Sequence, residues 1–186
     1  MCNCWDAKHP RYYIFLVDFL IIKKTLLPTD PLTLFTLPDS SVKIKPATWR
    51  DLNELRHLEY ACFPLDAWTF LDLIGVLTFP SVVRLKAIDG DMMVGFIAGD
   101  QRGTKKMAWI ATLGVLPDYR RQGIGTFLLQ ACEGALTVPC IRLSVRAKNA
   151  TALTLYRKLG YQRIGLWPNY YQGGMDAVIL EKQRSI

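Results

Sequence analysis

A mixed α/β sheet with helices on both faces is the fold class this chain predicts, and three observations predict it. From residue 42 onward the apolar runs follow the order β-α-α-β-β-β-α-β-α-β-β, the order of a mixed sheet of about seven strands. The stretch Arg120-Arg121-Gln122-Gly123-Ile124-Gly125 joins a strand pattern directly to a helical one. The composition, 51% apolar and 21% charged over 186 residues, is that of a globular protein with one core of ordinary size.

The elements follow in order. Val42 to Lys45 alternates apolar and basic residues and predicts a short strand. Thr48-Trp49-Arg50-Asp51 resembles a capping box, and Leu52, Leu55, Leu58 and Cys62 then recur at helical spacing until Phe63-Pro64. Trp68 to Leu77 predicts a second helix, stopped near Pro80. Val82 to Ile88, the Asp89-Gly90-Asp91 turn and Met92 to Ala98 predict a hairpin. Met107 to Leu116 predicts a strand, Ile124 to Leu136 a helix and Cys140 to Val145 a strand. Asn149 caps a helix through Leu159, closed by Gly160; Tyr161 to Leu166 and Ala177 to Leu180 are the final strands. Residues 1–41 form an N-terminal appendage and linker, with Pro28, Pro31 and Pro38 marking the linker, and residues 42–186 form the domain.

Charge and cysteine usage exclude several classes. The net charge of +7 suits an anionic partner, but the basic residues are scattered and no run of five marks a nucleic-acid tail. Five cysteines without regular spacing point to a reduced, cytoplasmic chain. Cys2, Cys4 and His9 are one ligand short of a metal site, so no metal is expected; Cys62, Cys132 and Cys140 lie in apolar runs and read as small core residues. Tyr12 to Ile22 is interrupted by Asp18 and falls far short of the roughly 20 residues that span a bilayer. It lacks a cleavage site of the signal-peptide kind and either packs on the domain or mediates contact with a second copy, a homodimer.

The loop at 120–126 has the chemistry of a pyrophosphate cradle. A helix N-terminus presents unpaired N–H groups and a partial positive charge. Gly123 and Gly125 let a phosphate approach the backbone, and Arg120 and Arg121 add full charges beside it. The chain holds no Walker string, and Leu128 stands where a dinucleotide fingerprint has its third glycine. As Arg/Gln-x-x-Gly-x-Gly after a strand, the loop resembles the acyl-coenzyme A loop of the GNAT superfamily of N-acetyltransferases. The element order is also that of a GNAT domain, and the resemblance covers residues 42 to 182, about three quarters of the chain.

The resemblance implies a fold, a co-substrate and a set of residues. The sheet should splay at a central strand pair, with acetyl-CoA in the gap against Leu113, Gly114 and Val115. Gly114 is the expected bulge residue, and Val115 N–H the donor facing the thioester carbonyl. Arg120, Arg121, Gln122, Gly123, Ile124, Gly125 and Thr126 would hold the pyrophosphate. The segment from Leu143 to Tyr161 is similar to Leu-Glu-Val-Arg-x-x-Asn-x-x-Ala-x-x-Leu-Tyr-x-x-x-Gly-Phe of the RimI-type ribosomal-protein alanine N-terminal acetyltransferases. There Asn149 is helix cap and cofactor ligand, and Tyr156, two turns along the helix, gives a proton to the departing thiolate. Tyr170 and Tyr171, in the loop between the last strands, resemble the tyrosines that grip a substrate backbone, and Phe63-Pro64 resembles the other wall.

One departure stands out: Ser144 occupies the position of the glutamate or histidine base in those relatives. A water chain, or the hydroxyl of Tyr170 or Tyr171, is then left to relay the amine proton. The expected function is acetyl transfer from acetyl-CoA to an amine by direct attack in a ternary complex, with a protein N-terminal α-amine as acceptor. A small-molecule amine acetyltransferase and a non-catalytic acyl-CoA-binding regulator are the alternatives.

Overall fold

The computed structural model describes residues 35–36, 40–101 and 106–185, all within the unit Leu32–Ile186. Cys2, Cys4 and His9, the Tyr12 to Ile22 run, residues 102–105 and most of the expected linker lie outside the described residues.

Eight strands form one sheet in the order β1-β2-β3-β4-β5-β6-β8-β7. Their ranges are β1 Phe35–Thr36, β2 Lys43–Pro46, β3 Val82–Asp89, β4 Met92–Asp100, β5 Met107–Val115, β6 Cys140–Arg146, β7 Gln162–Tyr171 and β8 Met175–Gln183. The helices are α1 Leu52–Cys62, α2 Phe70–Thr78, α3 Ile124–Ala135 and α4 Ala150–Lys158. The strand beyond the expected seven is β1, two residues inside the proline-rich stretch, paired antiparallel with β2. The β5–β6 pair is parallel, and the other pairings in the sheet are antiparallel.

Helices cover both faces, each with its own core. On one face Leu55 and Leu58 of α1 and Leu73, Val76 and Leu77 of α2 pack against Met93, Phe96 and Ala98 of β4. On the other, Ile124, Leu128, Leu129 and Cys132 of α3 and Tyr156 of α4 pack against Val94, Ile97, Ala108, Ile110, Leu143, Val145, Val178 and Leu180. The α3 residues recur at i, i+4, i+5 and i+8, one helical face, and burying each aliphatic one contributes about 1.5–3 kcal/mol. That anchorage fixes where α3 begins. Caps set the other helix starts: Thr48 and Asp51 form a capping box ahead of α1, and Thr69 and Asp72 another at α2. No helix among the described residues is long and apolar enough to cross a membrane.

The last two strands are longer than the sequence predicts. β7 runs on through Pro168 and Asn169 to Tyr171, with an irregular register between Trp167 and Tyr171. Asn169 has a φ of 51° and its N–H is bound by Asp176 Oδ1 at 3.0 Å. β7 lies at the sheet edge, where a proline leaves no ladder bond unmade, so a Pro-Asn pair that reads as a loop is carried inside a strand.

Candidate active site

The sheet parts between β5 and β6. Their pairing runs from Met107–Cys140 to Ile110–Leu143 and stops, although β5 continues to Val115 and β6 to Arg146. The cause lies in β5. Ala98 pairs with Thr112 and Gly99 with Ile110, so Ala111 is the extra residue of a bulge. A bulge sharpens the local twist and bends the strand, and this one sits where the two strands separate. The expected splay is present, but its bulge is at Ala111 and not at Gly114.

Gly114 serves packing instead. A Cβ there would lie 2.9 Å from Leu58 Cδ2, 3.3 Å from Cys62 Sγ and 3.3 Å from Phe63 Cε2. The missing side chain lets the end of α1, and the first wall residue Phe63, close down on β5. One turn earlier on α1, buried Glu59 accepts the Thr112 hydroxyl at 2.9 Å and ties the helix to the bulged strand.

The bulge leaves β5 with donors aimed into the gap. Leu116 N–H donates to Val94 C=O of β4 at 2.9 Å. Backbone groups alternate in direction along a strand, so the N–H and C=O of Val115, and those of Leu113, point away from β4. Arg120 Nε donates to Val115 C=O from that side at 2.9 Å, and the Val115 N–H on the same side lies against the Cys62 thiol.

The loop after β5 turns tightly into α3. Arg121 has a φ of 63° and Gly123, the residue before the helix, a φ of 86°; a non-glycine in this region is strained and is found at functional sites. Gln122 Nε2 donates to Asp118 C=O at 3.1 Å and closes the turn. The first intrahelical bond is Phe127 N–H to Gly123 C=O, so the N–H groups of Ile124, Gly125 and Thr126 have no helical acceptor. No acidic residue stands in the first turn. A Cβ on Gly125 would meet only Leu155 and Val115 at 3.8 Å, ordinary contact. Nothing in the chain requires glycine there, although glycine costs a helix about 1 kcal/mol against alanine. The space is suited to an approaching anion, and these residues fit the phosphates of a coenzyme.

Across the gap, Asn149 Oδ1 caps α4 by accepting Ala152 N–H at 3.0 Å, which leaves its NH2 as a donor. Tyr156 is buried and meets the Tyr161 ring edge-on, centroids 5.7 Å apart. Tyr161 is itself held, its hydroxyl donating to Glu133 of α3 at 2.9 Å. Burial, and then the nearby Tyr171, push the Tyr156 phenol above the ordinary tyrosine range, so it stays protonated at neutral pH. Cys62 is half-buried against Gly114; burial raises its thiol, with Arg120 pulling the other way.

The second wall comes from β7. Tyr170 and Tyr171 stand on the strand and not in the expected loop; their rings meet edge-on at 4.9 Å. Trp167 tilts against Tyr170 at 5.3 Å and stacks on Trp109 of β5 at 5.8 Å, so one row of half-buried rings crosses the parted sheet. Ser144 Oγ lies 3.3 Å from the Tyr171 hydroxyl. The structure thus brings Ser144, Tyr156 and Tyr171 together and carries Phe63 onto Gly114.

Trp109, Trp167 and Asp66 escape sequence reading, and Arg146 is read there only as part of the motif from Leu143 to Tyr161, because their partners, Trp167 for Trp109 and Arg146 for Asp66, are met only in the fold. The nearest signal was Asp66, an acidic residue two places beyond the Phe63-Pro64 pair.

Comparison with known proteins agrees with this geometry. A sequence model described as the acetyltransferase (GNAT) family matches residues 49–161. The chain is 31% identical over 149 residues to N-alpha-acetyltransferase 50 of Danio rerio, covering 76% of this chain and 88% of that one. It is 31% identical over 151 residues to the N-alpha-acetyltransferase RimI of Mycobacterium tuberculosis, covering 79% and 96%. The crystal structure of the ribosomal-protein-S18-alanine N-acetyltransferase from Escherichia coli superposes with a TM-score of 0.71 at 26% identity, over 78% of this chain and 95% of that one. A parted sheet, a helix start whose first N–H groups have no helical acceptor, and a matching sequence model lead to one conclusion: this chain belongs to the acetyltransferase (GNAT) family.

Proposed function

We propose that this chain moves an acetyl group from acetyl-CoA to the α-amine of a protein N-terminus. The observation that carries the reading is the junction of the parted β5 with the acid-free start of α3: a row of outward strand donors runs into a cluster of free helix N–H groups. Acetyl-CoA would supply the activated acyl group. Arg120, Arg121, Gln122, Gly123, Ile124, Gly125 and Thr126 would hold its pyrophosphate, and Leu113, Gly114 and Asn149 would position its arm. Val115 N–H would polarise the carbonyl. Tyr156 keeps its proton at neutral pH and offers it as charge develops on the sulfur.

The acceptor follows from the same site. Ser144 offers no carboxylate or imidazole, which favours an amine that needs little help to lose its proton. A peptide α-amine, with a pKa of about 7.7–8.0, is about a quarter to two-fifths neutral at pH 7.5, whereas lysine, at about 10.4, is almost wholly protonated there. Two walls, Phe63-Pro64 and Tyr170-Tyr171, suit a peptide held by its first residues, and the names of the relatives above support the same class.

Mass spectrometry on matched peptides tests this. At pH 7.5 a free α-amine should be acetylated in preference to a lysine side chain, and the gap should narrow as pH rises and lysine loses its proton. Undiminished transfer to a peptide with a blocked N-terminus and a free lysine would overturn the acceptor assignment.

A further inference from the structure

Asp66 is a buried carboxylate in the loop between α1 and α2, and it reaches two distant segments at once. Its Oδ2 pairs with Arg146 Nη2 at the end of β6, and its Oδ1 accepts Gln172 N–H in the β7–β8 turn at 3.2 Å. The Arg146 guanidinium then lies over the Tyr171 ring, 5.0 Å from its centroid. The Tyr171 hydroxyl meets Ser144 Oγ at 3.3 Å. The three segments joined are the ones that carry Phe63-Pro64, Ser144 and Tyr170-Tyr171. A buried ion pair is weak evidence of added stability, because desolvation consumes most of its attraction. What it does supply is a defined geometry between segments 80 and 106 residues apart in sequence.

We propose that Asp66 and Arg146 are positioning residues: they set the Tyr171 hydroxyl against Ser144, and this hydroxyl pair takes the acceptor's proton where relatives use a carboxylate or imidazole. The inference rests on the acetyl-transfer reading. As the new N–C bond forms and the C–S bond breaks, the nitrogen proton passes to Tyr171 Oη. Tyr171 gives its own proton to Ser144 Oγ, which releases one to water, so both hydroxyls end as they began. The sulfur takes the Tyr156 proton, and Tyr156 recovers one from water.

Steady-state kinetics with a free α-amine peptide tests the brace. Tyr171→Phe, which keeps the ring, and Asp66→Asn, which keeps the shape and the bond from Gln172, should each lower kcat by about 10–100-fold. The KM for acetyl-CoA should stay within about twofold, because its cradle lies on the other face of the split. The double variant should be no slower than the slower single one, since both act through the same hydroxyl. Ser144→Glu should restore turnover in both backgrounds by supplying a base directly. Arg146→Lys, which keeps the charge but loses the planar group over Tyr171, should match Asp66→Asn, and it decides the matter if that variant fails to fold. Wild-type kcat in Asp66→Asn or Arg146→Lys, multiplicative losses in the double variant, or no rescue by Ser144→Glu would each overturn the brace while leaving acetyl transfer standing. A wild-type protein that acetylates no amine overturns both.

Discussion

The two halves of the proposed site are built in opposite ways. The donor half, β5 with its loop and the start of α3, is one continuous stretch from Met107 to Thr126, and its chemistry comes mostly from backbone N–H groups. The acceptor half draws on the α1–α2 loop, the end of β6 and the β7–β8 hairpin, and its chemistry comes from side chains. A phosphate-bearing ligand of fixed shape suits backbone donors whose position depends only on local turns. A peptide acceptor suits side chains, which change without disturbing the sheet. Gly114 and Phe63 are where the halves touch.

If the donor half is a backbone cradle, filling it should do the most damage. Gly125→Asp places a carboxylate beside the free N–H groups, and it should abolish the rise in Tm that acetyl-CoA gives the wild-type protein through binding to the native state. Equal coenzyme A affinity in the two proteins would break the assignment of that half.

The removal of Tyr156, buried on α4 against Tyr161, is next in size. Tyr156→Phe keeps the ring and its edge contact with Tyr161 but loses the proton, so kcat should fall about 10²–10⁴-fold. Affinity for acetyl-CoA should stay within a few-fold. Wild-type turnover in this variant would assign proton donation to another group.

The smallest effects should separate the two glycines. Gly114→Ala forces a Cβ to within 2.9 Å of Leu58 and should destabilise the fold by about 1–3 kcal/mol, read as a lower denaturation midpoint. Gly125→Ala meets nothing nearer than 3.8 Å, so stability should hold or rise by about 0.5–1 kcal/mol while affinity for acetyl-CoA falls. A Gly125→Ala protein that is destabilised and binds normally would reverse the argument that this glycine is present for a ligand.

The sequence pattern carried most of the fold because most of its signals are local. The Thr48 capping box, the Asp89-Gly90-Asp91 turn, the Asn149 cap and the left-handed Gly160 each end or begin an element where the sequence places it. β7 ran further than predicted because an edge strand tolerates Pro168 and a left-handed Asn169, which only its place in the sheet permits. The bulge was placed at Gly114 because glycine suits a bulge, yet the register puts it at Ala111 and gives Gly114 to packing.

By itself the sequence determined the elements of the proposed donor half: strand, Arg/Gly loop and helix follow one another, through turn geometry set within a few residues. It determined too that no carboxylate or imidazole stands at Ser144. Tertiary structure alone decided what faces that serine. Asp66 meets Arg146 across 80 residues, and Ser144 meets Tyr171 across 27. Such contacts arise from the order of strands in the sheet and the depth to which α1 packs on Gly114, and no local pattern encodes either.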